Sequence, residues 1–579
     1  MDIVATLNER GLLSDAAAEQ VRELTRSGRA LDDALLEGTV AEKTDGPAGE
    51  RVLRYFSEQF QMPYVDMEGV TPSKELLAKF PVRLLLQHRI LPVKDDGDAI
   101  LIATSKVFDT SALDELRMAT GLEVRAVLAP ASEIDRATKR LLGVGADTLQ
   151  SMNALDDGVK VIEEDDDNLD LGDAAAAQDA SIIKFVNQIL GEALESRATD
   201  VHIEPFENQL RVRYRVDGVL QEANIPTNVR KFHAAIVSRI KILSHLDIAE
   251  KRLPQDGRIR LRVGGREIDL RVSVIPMIHG EAVVLRILDR GDAVLGLEHL
   301  GMSARDRGVW DRVLDLPHGI ILVTGPTGSG KTTSLYAALG KINQTDLKIV
   351  TIEDPVEYQM RGINQIQVST KTGLTFGSGL RAILRHDPDV VLIGEIRDRE
   401  TAEIAVQASL TGHLVFSTLH TNDAPGATTR LIDMGIEPYL VASSLEMVLA
   451  QRLVRLICPH CKEELPRAEW EKLRTEFGND VPPVVYKGRG CRQCQSTGYR
   501  GRQGLFEMMP VTEEVRTLIL ERASSGTVRK VAVRQGMNSL RGDGWRLIKE
   551  GRTTVEEVIR MTKDETRTVG ADVDGMAVK

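Results

Sequence analysis

Between residues 325 and 333 the chain reads Gly325-Pro326-Thr327-Gly328-Ser329-Gly330-Lys331-Thr332-Thr333. Glycines at that spacing let backbone N–H groups close around phosphate oxygens, and a helix begun there points its positive N-terminus at the same anion. The Lys331 ammonium has the reach for β- and γ-phosphates, and the Thr332 hydroxyl can ligate the Mg²⁺ that neutralises them. The apolar run Ile320-Ile-Leu-Val323 before the loop and Thr333-Ser-Leu-Tyr-Ala-Ala-Leu339 after it supply the strand and helix that such a cradle needs. The expected chemistry is binding of a nucleoside triphosphate.

Three further stretches could work on that ligand. Lys348-Ile-Val-Thr-Ile-Glu353 reads as a strand with a carboxylate at its C-terminal end. In an open parallel sheet that edge faces the ligand crevice, so Glu353 is placed to orient or deprotonate a water attacking the γ-phosphate; an acidic helix cap is the alternative. Asp389-Val-Val-Leu-Ile-Gly-Glu395 is an apolar strand ending in an acid, the Walker B arrangement with Glu395 where Asp is more usual. Its task would be to hold Mg²⁺ through water. Gly412-His413-Leu-Val-Phe-Ser-Thr-Leu-His420 is another strand, and a histidine at the same edge as two acids would contact or sense the γ-phosphate, as against a purely structural role.

A second chemistry stands apart. Cys458-Pro-His-Cys461 and Cys491-Arg-Gln-Cys494 are two CxxC knuckles, and they account for all 4 cysteines. Four thiolates suit tetrahedral Zn²⁺ with no position left for water, which makes the site structural. Binding energy of order 10 kcal/mol would fold an otherwise coreless excursion. A redox dithiol is the rival reading, and His460 a candidate accessory to the metal.

These residues need several elements to position them. With 579 residues the chain can bury several cores, a net charge of -12 argues against a protein built to wrap nucleic acid, and cysteines in two close pairs point, in a reducing compartment, to metal and away from disulfides. No apolar run approaches the ~20 residues of a membrane span, and Met1 to Arg10 lacks the order of a secretory signal, so a cytoplasmic chain is expected. Residues 1–145 read as a small α/β or α+β adaptor or docking domain with no metal, nucleophile or phosphate signature. Residues 146–179 include Glu163-Glu-Asp-Asp-Asp-Asn-Leu-Asp-Leu-Gly-Asp173, an acidic run expected to stay solvated as a flexible linker. Residues 180–292 open with an amphipathic helix through Ile182, Val186, Ile189 and Leu194, and continue with strands that alternate arginine with apolar residues, such as Leu210-Arg-Val-Arg-Tyr-Arg-Val216 and Ile268-Asp-Leu-Arg-Val-Ser-Val274. That arginine-rich face is either solvated and paired with carboxylates or partly aimed at phosphates. Helical patterns return from Glu513 to Met561.

In order and wording, the loop at Gly325, the acidic box at Glu353, the strand ending in Glu395 and the histidine box at His420 resemble the secretion ATPase superfamily. So do Ala198-Thr-Asp-Val-His-Ile-Glu-Pro205, Lys251-Arg-Leu-Pro-Gln-Asp-Gly-Arg258 and Gly379-Leu-Arg-Ala-Ile-Leu-Arg-His-Asp-Pro-Asp389. Within it the chain resembles the type II secretion traffic ATPases (general secretory pathway protein E) and their close relatives, the type IV pilus extension ATPases. The resemblance implies an α/β protein: a RecA-like P-loop ATPase domain at 298–565 carrying the tetracysteine insert 458–494 and C-terminal helices, a preceding α+β, PAS-like domain at 180–292, an N-terminal docking domain, and a tail at 566–579. It further implies a homohexamer that hydrolyses ATP with Mg²⁺, with nucleotide held between the motor and an adjacent second module whose Arg271 and Arg286 reach the phosphates. Arg381 and Arg385 are further candidates for the site or the subunit contact. The same resemblance supports the four cysteines as zinc ligands.

By that resemblance the motor would power pseudopilus assembly and protein export at the inner face of the cytoplasmic membrane, working on an inner-membrane platform protein and docking through residues 1–145 to a membrane-anchored partner. Pilus extension is the alternative. The pilus relatives can bind cyclic di-GMP through repeated Arg-Leu-Gly motifs, and no such motif is intact here. Two other classes stand further off. A nucleic-acid translocase would call for a basic channel and stacking aromatics, against 4% aromatic content, and a nucleotide-gated adaptor would not need both Glu353 and Glu395.

Overall fold

Two hydrophobic patterns divide the strands: alternation, where one face of a sheet is solvated, and unbroken apolar runs, where both faces are covered. The computed structural model describes residues 2–40, 48–67, 70–142, 160–161, 173–225, 227–263, 266–289, 296–477 and 481–562. The chain divides into two units, residues 1–289 and 290–579.

In the first unit, helices Ile3–Glu9, Asp15–Arg26, Leu31–Val40 and Ala48–Phe60 surround a small core that includes Leu7, Val21, Ala34 and Phe56. Strands β1 (Leu91–Asp95), β2 (Ile100–Thr104) and β3 (Val124–Leu128) form a sheet in that order, antiparallel and then parallel. The buried Asp32 carboxylate ties helices to sheet by accepting the backbone N–H groups of Val107, Phe108 and Asp109 at 3.0, 2.9 and 2.9 Å.

Two pieces of the expected linker 146–179 are folded. Lys160–Val161 (β4) pairs with a later strand, and the helix expected from residue 180 begins at Asp173 and runs to Glu195. Ala174 to Ala177 are strong helix formers, so propensity carries the helix upstream of its apolar stripe. The rest of the linker lies outside the described residues.

Strands β5 (Ala198–Pro205), β6 (Leu210–Val216), β7 (Val219–Glu222), β8 (Gln255–Val263), β9 (Arg266–Met277) and β10 (Gly280–Asp289) join β4 in the order β4-β8-β9-β10-β5-β6-β7. Their apolar residues, including Val201, Val212, Leu270, Val272 and Leu285, form one core with the helices Asp173–Glu195 and His233–Leu243. The alternate residues make the other face, where the arginines lie.

The second unit is organised on a sheet of β11 (Gly319–Thr324), β12 (Ile349–Glu353), β13 (Asn364–Gln367), β14 (Val390–Ile393), β15 (Leu414–Leu419), β16 (Leu445–Ile457) and β19 (Tyr499–Pro510), in the order β13-β12-β14-β15-β11-β16-β19. Every residue of β11, β12, β14 and β15 is buried. These strands are parallel with helices between them, and only β19 runs antiparallel to its neighbour.

The tetracysteine insert lies between β16 and β19 and contains a two-stranded sheet, β17 (Lys462–Glu464) with β18 (Tyr486–Gly488), and the helix Arg467–Phe477. It is not coreless, as the sequence suggested. Trp470, Val481 and Val485 pack with Ile548, Val555 and Val558 of the C-terminal helices, contacts that no local pattern could announce. The expected tail 566–579 lies outside the described residues.

Candidate active site

Register brings the four chemical stretches to one edge. Ile352 of β12 stands beside Ile393 of β14, Ile393 beside Ser417 of β15, and Ser417 beside Leu322 of β11. Glu353, Glu395, His420 and Gly325 therefore follow within a few residues of a common line across the sheet. That line is the carboxyl edge, where a ligand crevice belongs.

The loop closes tightly on β16. A side chain at Gly325 would put its Cβ 2.5 Å from the Gln451 carbonyl oxygen, and Gly330 has φ +88° at the start of the helix Lys331–Ile342. Pro326, Thr327, Gly328 and Ser329 complete the loop, and Thr332 and Thr333 stand half-buried in the first helical turn. Lys331 Nζ donates to the carbonyls of Gly325 and Pro326 at 2.9 and 3.1 Å, so the ammonium is held within the loop. Burial and then the Arg452 charge bring its pKa down to about 8. An anionic phosphate would restore the charge, and the cradle therefore fits a nucleotide.

Glu395 and His420 meet directly. His420 Nε2 lies 3.0 Å from Glu395 Oε2, while Glu395 Oε1 pairs with Arg397. Burial, followed by the charges of Lys331 and Arg397, lowers the His420 pKa, although a hydrogen bond with the Gly325 backbone opposes the shift. The ring is thus held between the Glu395 carboxylate and the backbone of Gly325 in the phosphate loop.

Glu353, expected to orient or deprotonate the attacking water, is enclosed by donors. It is buried, accepting the Tyr336 hydroxyl on Oε2 at 2.5 Å and the Thr351 hydroxyl and Gln365 amide on Oε1 at 2.6 and 3.2 Å. Burial, and next the Glu353 charge, push the Tyr336 phenol far up, so it remains a donor.

In the first unit, Arg271 and Arg286 occupy neighbouring strands of the arginine face. Cross-strand register sets Arg258, Arg271, Arg286, Asp200 and Arg215 in one row. Arg286 Nε donates to Asp200 Oδ1 at 2.9 Å, and Arg215 lies 3.5 Å from Asp200 Oδ2. The row thus combines Arg–carboxylate pairing with an excess of positive charge. Arg381 pairs with Glu400, and Arg385 donates to the Arg381 carbonyl at 2.7 Å.

The profile of the family described as type II/IV secretion system protein matches residues 175–560. The chain belongs to this family. Its relatives include the type II secretion system protein E of Xanthomonas campestris pv. campestris, 43% identical over 97% of this chain and 98% of that protein. That of Pseudomonas aeruginosa is 57% identical over 67% of this chain and 76% of its own length. The type IV pilus assembly ATPase PilB of Myxococcus xanthus is 42% identical over 91% of this chain and 93% of that one. A second profile, the MshEN domain, matches residues 60–147.

In this type II/IV secretion family member the four cysteines converge as their spacing suggested. Their Sγ atoms all lie within 4.8 Å of one another, with Cys458–Cys491 and Cys461–Cys494 at 3.8 Å and Cys491–Cys494 at 3.7 Å. A tetrahedron with Zn–S bonds of about 2.3 Å has edges of about 3.8 Å, so the cluster fits zinc. Burial pushes the Cys461 thiol up to about 12. At Cys494 burial acts the same way, but N–H groups of Cys491 and Gly498 outweigh it and bring the thiol down to about 7.

Several residues of the site had no motif to reveal them. Thr324 Oγ1 and Thr421 Oγ1 lie 2.8 Å apart, Gln451 accepts from the Ser334 hydroxyl at 2.8 Å, and Arg452 donates to the carbonyls of Gln451 and Asn422 at 3.0 and 2.9 Å. The available signal was Gln451-Arg452 inside the apolar run Met447 to Val454: two polar residues on a buried strand need partners.

Proposed function

We propose that the chain hydrolyses ATP as a homohexameric motor that powers pseudopilus assembly and protein export in a type II secretion system. The observation that carries this reading is the meeting of the phosphate loop, Glu395 and His420 at one sheet edge. Mg²⁺, when bound with ATP, neutralises the β- and γ-phosphate charge. Lys331 would turn from its loop carbonyls to the phosphates, the Thr332 hydroxyl and Glu395 would hold the cation, and His420 would contact the γ-phosphate. Glu353 takes the proton of the attacking water, which requires that water to reach a buried carboxylate with three acceptor positions already used. Arg271 and Arg286 supply positive charge to the phosphates from a second module. The four cysteines hold Zn²⁺ as a structural tie for the insert.

The partners in this reading are an inner-membrane platform protein and a membrane-anchored docking protein engaged by residues 1–145. The chain is cytoplasmic and reaches the inner face of the membrane through them. Among the described residues no helix is long and apolar enough to cross a membrane. A second reading, the extension ATPase of a type IV pilus, is favoured by the PilB relative that matches 91% of the chain.

ATP turnover of the purified chain, measured together with its mass in solution, tests the motor. Turnover that rises as hexamers form and falls at least about 100-fold in Glu395→Gln is expected. A hexamer that binds ATP without turnover, even beside the platform protein's cytoplasmic domain, would sink it. Deleting the gene and scoring exoprotein release against surface piliation separates the two readings.

A further inference from the structure

Four consecutive residues beyond β15 are each tied to a different part of the second unit. His420 Nε2 meets Glu395 Oε2 at 3.0 Å, and Thr421 N donates to Thr324 Oγ1 at 2.8 Å. The Asn422 carbonyl accepts from Arg452 at 2.9 Å, and Asp423 Oδ2 lies 3.0 Å from Arg529 Nη2. The first three ties lead to the Walker acid, the strand beneath the phosphate loop and the guanidinium beside Gly325. The fourth leads away, to the C-terminal helix Ser525–Arg534.

Arg529 forks between two carboxylates. Its Nη1 lies 3.2 Å from Glu507 Oε2, and Glu507 is buried on β19 with Oε1 accepting the Ala424 N–H at 2.8 Å. Asp423 uses its other oxygen to cap the helix Ala424–Asp433, accepting from Gly426 N at 2.7 Å. A planar guanidinium spanning two acids fixes both distance and angle, as a point charge on a flexible stem would not.

We propose that Arg529 is a positioning residue for ATP hydrolysis: by holding Asp423 against the Glu507 anchor it fixes the 420–423 segment, and with it the place of His420 at the γ-phosphate. The inference rests on the reading of His420 given above. It adds a charged tie to the apolar packing of helix Ser525–Arg534 on helix Ala424–Asp433, so movement of those helices is felt at the phosphate edge without contact to nucleotide.

Removing Arg529 outright would leave the buried Glu507 charge without its guanidinium, and such a variant could fail to fold. Two milder changes cut the tie. Asp423→Asn keeps an acceptor for Gly426 N and leaves Arg529 on Glu507, while Arg529→Lys keeps a cation beside Glu507 but loses the fork. Both, in the full chain, are expected to lower kcat about tenfold while KM for ATP stays within about twofold and the thermal midpoint is unchanged. The double variant His420→Ala with Asp423→Asn should turn over no more slowly than His420→Ala alone, because the tie acts through that histidine. A slow His420→Ala beside normal kcat in Asp423→Asn and Arg529→Lys overturns the inference alone. So do losses that multiply in the double variant, or KM and thermal midpoint shifting in step with kcat. Wild-type kcat in His420→Ala overturns the reading of His420 and this inference with it.

Discussion

Lys331 shows how a side chain's surroundings set its behaviour beyond what its motif announces. Held against two loop carbonyls and near Arg452, it has a pKa of about 8, down from 10.5. Phosphate favours the charged form, so above about pH 8 binding must take up a proton. Affinity should be fully present below pH 8 and fall as pH rises beyond it. The same depression means the fold carries the cost of a buried charge at neutral pH, which eases as pH climbs from about 8 toward 10.5. In Lys331→Arg, whose guanidinium does not titrate, nucleotide affinity should be flat with pH from about 7.5 to 9.5. Fluorescence titration with a labelled ADP checks this, and a wild-type affinity that does not weaken above pH 8 would remove Lys331 from the phosphates. Residue types at this site were legible, because a phosphate cradle needs glycines, lysine and threonine in a fixed order. The state of Glu353 was not, since its three donors come from the loop helix, its own strand and β13.

Elements were legible where one local pattern decided them and obscure where distant packing did. The buried parallel strands β11, β12, β14 and β15 announced themselves as apolar runs ending in polar residues. The long pair β16 and β19 did not, because arginines and glutamines interrupt both strands and find partners far along the chain. The insert shows the same division: the convergence of its four cysteines was readable from spacing, its packing on the C-terminal helices was not. Its folding depends on close backbone approach as well as on thiolates. A Cβ at Gly488 would stand 2.0 Å from the Gly498 carbonyl oxygen, so Gly488→Ala must push β18 off the second knuckle. Zinc content, expected near one per chain in the wild type, should then fall as it should in Cys461→Ser, with faster hydrogen exchange across 458–498 and unchanged protection in the helix Lys331–Ile342. Metal binding would release thiol protons, those of Cys461 and Cys458 among them since burial pushes both thiols up, so a chelator should strip zinc more readily at pH 6 than at pH 8. Equal loss at both pH values would argue that thiolates are not the ligands.

At the scale of the whole molecule, the proposed role of the arginine face would decide whether one chain can be a complete enzyme. Arg286 is 54% exposed, and its partner Asp200 keeps Arg215 at 3.5 Å and the Thr199 hydroxyl at 2.8 Å if Arg286 is removed. Arg286→Ala should therefore fold normally, with a thermal midpoint within about 2 °C of wild type, since no buried charge is stranded. If Arg286 stabilises developing charge on the phosphates, kcat should fall about 100-fold with the hexamer's mass unchanged. Mixing subunits then tells whose phosphates it serves. Arg286→Ala and Lys331→Ala chains should each be nearly inactive in pure rings. Where the arginine serves the phosphate loop of a neighbouring copy, random mixing at equal amounts creates sites with a sound lysine from one chain and a sound arginine from the next. Roughly a quarter of wild-type turnover should then return. Where it serves its own chain, no mixed ring contains a complete site and turnover stays at the level of the pure variants. Recovery on mixing would make the ring itself the catalytic unit, and its absence would make each chain an enzyme that only happens to assemble.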